Sequence, residues 1–124
     1  MPAATVCDAR GVDAIDARHR QVVAAAWDDY DGREVAEVQE LSAMVSTNRV
    51  YRLVLADGDQ AIAKSSNYGS FFMFAEDHER LHLATELLAG GPYENFMAHI
   101  LTRDDRPYLW YDGEMWVAFY TSIE

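Results

Sequence analysis

The 124-residue chain contains a single lysine, Lys64, at the end of a short apolar run, Ala61-Ile62-Ala63-Lys64; its other nine basic residues are arginines. An ammonium at the end of a strand is a compact, flexible point charge suited to phosphate oxygens, which a guanidinium fork does not reproduce. The plainer alternative is an accident of an arginine-biased composition. Fifteen positions on, Glu79 could hold such a lysine by its charge, and Glu76, one helical turn earlier, competes for that role. The run His78-Glu79-Arg80-Leu81-His82 also has His-Glu-x-x-His spacing. Two imidazoles at i and i+4 can grip one Zn2+ while the glutamate acts as general base on bound water. Asp77 and Arg80 put charges where such helices usually have none, and a third ligand is not evident. Glu86 is too near on the same helix, which leaves Glu94 or His99.

Upstream of the lysine, Ser42-Ala43-Met44-Val45-Ser46-Thr47-Asn48 is small and hydroxyl-rich but has no glycine. Hydroxyls and backbone N–H groups of Ser46, Thr47 and Asn48 could bond phosphate oxygens; otherwise these residues are ordinary turn formers between two strands. No Gly-x-x-x-x-Gly-Lys stretch occurs, which excludes a P-loop NTPase. His19, His99 and Cys7 stand in no recognisable catalytic pattern.

The elements that must position these groups follow from periodicity. Val12, Ile15, His19, Val22, Val23, Ala26 and Trp27 recur at helical spacing, which predicts a helix over 12–30 stopped by Asp31-Gly32. That helix either lies on a sheet or acts as an arm for dimer contacts. A strand is expected to begin near Val38, and Arg49 to Leu55 reads as a second strand. Asp57-Gly58 turns the chain into a third strand, Gln60 to Lys64. A helix from about Phe74 to Ala89 ends at Gly90-Gly91-Pro92. It carries one stripe at Leu81, Ala84 and Leu88 and another at Leu83 and Leu87, as in a helix packed against more than one layer. Met97 to Thr102 is a short strand candidate. Pro107 to Tyr111, Asp112-Gly113, and Glu114 to Tyr120 form the clearest hairpin, whose aromatic residues read as core and core edge. This order predicts an α+β domain with a mostly antiparallel sheet.

Half of the residues are hydrophobic, enough for one core. The net charge of -11 is spread along the chain with no basic stripe, which argues against nucleic acid as a partner. One cysteine, a start without a charged and apolar leader, and no apolar run of spanning length predict a cytoplasmic protein that does not enter a membrane.

Residues from about 38 to 124 together resemble the N-terminal lobe of the aminoglycoside phosphotransferase and choline-kinase-like family. The resemblance rests on Ser46-Thr47-Asn48-Arg49-Val50-Tyr51-Arg52-Leu53, Asp57-Gly58, Ile62-Ala63-Lys64, Glu79, and Asp112-Gly113-Glu114-Met115-Trp116-Val117-Ala118-Phe119-Tyr120. It implies a kinase-like lobe over 34–124, of about five antiparallel strands with one packed helix, preceded by a helical segment over 1–33. It implies that Lys64 meets the α- and β-phosphates of ATP, that Glu79 orients it, and that Ser46, Thr47 and Asn48 cover the phosphates. Backbone groups near Tyr120 to Ser122 would face adenine. The family's catalytic Asp and its Mg2+ ligands belong to a C-terminal lobe that this chain lacks. The expected function is therefore the nucleotide-binding part of an ATP-dependent phosphotransferase, not transfer by this chain alone. Its acceptor would be a small molecule, with an aminoglycoside-like or choline-like cation suited to the acidity. The alternatives are a zinc hydrolase using His78, Glu79 and His82, and a non-enzymatic acidic binding or immunity module; a homodimer is compatible with each.

Overall fold

The structure, a computed structural model, describes residues 3–41, 48–67, 71–92 and 98–122. Helix α1, Ala3–Tyr30, is followed by strands β1 (Val35–Glu40), β2 (Asn48–Leu55) and β3 (Gln60–Ser66). Helix α2, Phe71–Leu88, comes next, then β4 (Thr102–Arg103), β5 (Arg106–Pro107), β6 (Leu109–Tyr111) and β7 (Trp116–Thr121). Five strands form one antiparallel sheet in the order β1-β2-β3-β7-β6, while β4 and β5 pair as a separate two-residue hairpin. The class is α+β, as the sequence predicts. No helix of the described residues is long and apolar enough to cross a membrane.

Alternation along the strands sends neighbouring side chains to opposite faces, and each face receives one helix. Tyr51, Leu53 and Leu55 of β2, Ala61 and Ala63 of β3, and Val117 and Phe119 of β7 point to one side. There they pack against Val22, Val23, Ala26 and Trp27 of α1, residues spaced to form one helical stripe. Trp27 meets Phe119 edge-on at 5.1 Å between ring centres. The N-terminal helix therefore lies on the sheet. It stops at Gly32, whose φ of 81° lets its N–H bond the Trp27 carbonyl at 3.0 Å.

The intervening residues, among them Ile62, Lys64 and Ser66 of β3 and Trp116, Ala118 and Tyr120 of β7, face the other side. Helix α2 covers part of this face through Phe74 and His78, with Phe74 5.6 Å from the Trp116 ring and His78 bonded to Tyr120. The turns that align the central strands are those their chemistry predicts. Gly58 and Gly113 adopt φ of 95° and 96°, and Asp57 and Asp112 each accept backbone N–H groups within their own turn.

Candidate functional site

Lys64 sits half-buried near the end of β3, opposite Val50 of β2 and Ala118 of β7. It opens into a cavity of about 540 Å³ between the sheet and α2. Asn48 and Ser66, cross-strand partners at the end of the β2–β3 ladder, stand beside it, and Phe74, Trp116 and Tyr120 supply an aromatic wall. Every ion pair found among the described residues is made by an arginine. The ammonium of Lys64 enters none of them. Trp116 is buried, and its indole N–H has no acceptor among the described residues. A cation in a largely apolar, aromatic-walled cavity suits an anionic ligand with a flat apolar body.

The carboxylate that α2 brings to this cavity is Asp77. Glu79, expected to orient Lys64, instead pairs with Arg106 at 3.3 Å and does not line the cavity. The reason is helical phase. Residues two apart are separated by about 200°, so burying His78 turns Asp77 and Glu79 to opposite flanks.

His78 has a defined tautomer. Its Nδ1 lies 2.8 Å from the Phe74 carbonyl, which can only accept, so Nδ1 donates and Nε2 accepts from the Tyr120 hydroxyl. Burial, with help from the Lys64 charge, holds the imidazole below its usual value, against the opposing pulls of the Phe74 carbonyl and Asp77. Burial also pushes the Tyr120 hydroxyl up. The pair is neutral near pH 7 and forms a fixed polar floor to the cavity. A zinc ion bound at Nε2 would have to displace the Tyr120 hydroxyl. His82 faces a different cavity, with Glu86, His99 and Asp105. The geometry thus does not present His78 and His82 as a joint grip, and no cluster of three metal-ligating side chains occurs among the described residues.

Of the residues expected around a nucleotide, Lys64, Asn48 and Tyr120 are brought together. Ser46 and Thr47 lie outside the described residues. Ser122 is at the far end of the β3–β7 pair, where its hydroxyl meets Gln60 at 3.4 Å, about 13 Å along the strands from Lys64. Sequence reasoning missed Ser66, Phe74, Asp77 and Trp116 as cavity residues. The Ser66 signal was available, since it is two positions from Lys64 on the same strand and must share its face.

No known protein family, curated protein or solved structure matches the chain.

Proposed function

We propose that the cavity beside Lys64 binds a nucleotide and that the chain is the nucleotide-holding, kinase-like lobe of an ATP-dependent small-molecule phosphotransferase. The observation that carries this reading is the sole lysine, unpaired among the described residues and placed in an aromatic-walled cavity of nucleotide size. The order of parts supports it. In protein kinases the phosphate-holding lysine is on the third strand, after a loop that covers the phosphates and before the helix that carries its acidic partner. Here Lys64 is on β3, Asn48 opens β2 beside it, and α2 follows on the lysine's face of the sheet.

In this reading phosphate oxygens meet Lys64 and Asn48, the base lies against Phe74, Trp116 and Tyr120, and Asp77 takes the place expected of Glu79. Mg2+ would arrive with ATP, and the ligands and base needed for transfer would come from a further lobe. A cationic, aminoglycoside-like or choline-like acceptor suits the acidic surface. Calorimetric titration with ATP is expected to show binding that Lys64→Ala weakens about tenfold or more, as for loss of a hydrogen bond to a charged group. Equal affinity of the two proteins would overturn the phosphate role. The exposed outer side of α2 favours a second reading, a non-enzymatic acidic binding module, in which Lys64→Ala leaves partner binding unchanged.

A further inference from the structure

The floor of the Lys64 cavity holds a conflict of polarity. Lys64 is paired with Ala118 across the β3–β7 ladder, and Tyr120 with Ile62. Lys64 and Tyr120 are therefore diagonal neighbours on one face of the sheet, a separation of about 7–8 Å that long side chains can bridge. Both line the cavity, together with His78 of α2. The Tyr120 hydroxyl has one proton and gives it to His78 Nε2. It keeps only oxygen lone pairs, which repel an anion drawn in by Lys64. The imidazole has no donor left either, because Nδ1–H is spent on the Phe74 carbonyl at 2.8 Å.

The Phe74 carbonyl decides how that conflict can be relieved. Moving the imidazole proton from Nδ1 to Nε2 would turn the Tyr120 bond around, but it would set the Nδ1 lone pair against a carbonyl that only accepts. Taking a proton from solvent at Nε2 avoids that clash. Nδ1–H stays on Phe74, Nε2–H donates to the Tyr120 oxygen, and the Tyr120 O–H is released to a ligand oxygen. The imidazolium also adds its positive charge to that of Lys64. Among the described residues, Lys64 from β3, Tyr120 from β7 and Asp77 from α2 itself are the titratable groups facing the imidazole. Asp77 also pairs with Arg80 at 3.6 Å. Burial and the Lys64 charge act against the added proton. An anion held by Lys64 cancels that repulsion and favours it.

We infer that a phosphate-bearing ligand enters this cavity together with one proton, held at His78 Nε2, and that Tyr120 then becomes a hydrogen-bond donor to the ligand. The inference rests on the nucleotide reading of the cavity. It adds to Lys64 two anion-binding groups that are otherwise turned on each other. The coupling is reciprocal: protonation strengthens ligand binding by the same factor by which the ligand strengthens proton binding. Affinity therefore rises as pH falls through the range in which His78 titrates.

The test is an NMR titration of the wild-type imidazoles from about pH 8 to about pH 5, with and without saturating ATP. His78 is identified by its through-space contact with the Phe74 ring, 4.1 Å away between centres, so no variant is needed. ATP is expected to raise the His78 midpoint by at least about one pH unit, equivalent to about tenfold in affinity. Calorimetry gives a second readout, the ratio of wild-type to His78→Gln affinity for ATP, in which the titration of ATP itself cancels. That ratio should rise about tenfold across the same range of pH. Bound ATP with a His78 midpoint unmoved or lowered, or a ratio constant with pH, would overturn the inference and leave the nucleotide reading standing. ATP that binds at neither end of the range would overturn both.

Discussion

The two faces of the sheet are built on different terms. Against α1 the sheet is closed by large apolar residues: Trp27, Tyr51, Leu53, Val117 and Phe119 are all 3% exposed or less. The polar atoms enclosed there include a matched pair, with His19 Nδ1 2.7 Å from the Ser65 hydroxyl. Against α2 the cover is partial. A lysine and a buried indole N–H that have no partner among the described residues, together with a cavity, remain on this side. Close packing stabilises the first face; the second leaves an ammonium facing a cavity, where an anionic ligand can satisfy it. The same sheet thus separates a closed side from a side that keeps an open cavity.

The largest contrast should come from truncation. Trp27→Ala removes a buried indole from the α1 face and is expected to cost about 3–5 kcal/mol in chemical denaturation. Leu81→Ala, on the exposed flank of α2, should stay within about 0.5 kcal/mol. Comparable losses at the two sites would mean that both faces are packed alike. On the α2 side, Tyr120→Phe takes the hydroxyl from His78 and leaves a buried ring nitrogen unpaired, at an expected cost of about 1–3 kcal/mol.

A smaller effect links the faces through pH. Burial first, and the Arg49 charge second, hold His19 below the usual imidazole value, and burial does the same for His78. Each histidine binds its proton more weakly folded than unfolded. Their contribution is therefore complete above the ordinary imidazole pKa of about 6.5. It is lost as pH falls from there toward the lowered folded values. Denaturation midpoints measured across this window should fall with pH, and His19→Gln and His78→Gln should each flatten the slope. A slope unchanged in both variants would show that neither imidazole is buried neutral.

The α1 face was more legible in the sequence than the α2 face, for physical reasons. The stripe from His19 to Trp27 has one apolar side, so its orientation follows from spacing alone. The hairpins at Asp57-Gly58 and Asp112-Gly113 announce themselves through glycine at positive φ. The β4–β5 hairpin does not, because Asp104 and Asp105 occupy φ of 56° and 64° without a glycine. Strand β1 was expected to begin near Val38 but starts at Val35, where a shift of register between Val35 and Glu37 breaks the alternation that would have shown it. Helix α1 begins at Ala3, well before the expected start at residue 12, and runs through Gly11. On α2, two apolar sides leave the helical phase undetermined from sequence, so Glu79 was expected where Asp77 stands. Lys64 was legible because a strand has only two faces.

The sole lysine also allows the most direct test of the nucleotide reading. An amine-reactive reagent can modify this chain only at Lys64 and at the N-terminal amine. Labelling can be followed by peptide mass with the N-terminal amine as internal reference. Bound ATP is expected to slow modification of Lys64 while leaving the N-terminus unaffected. Modification of Lys64 at the same rate with and without excess ATP would contradict the assignment of this cavity to a nucleotide.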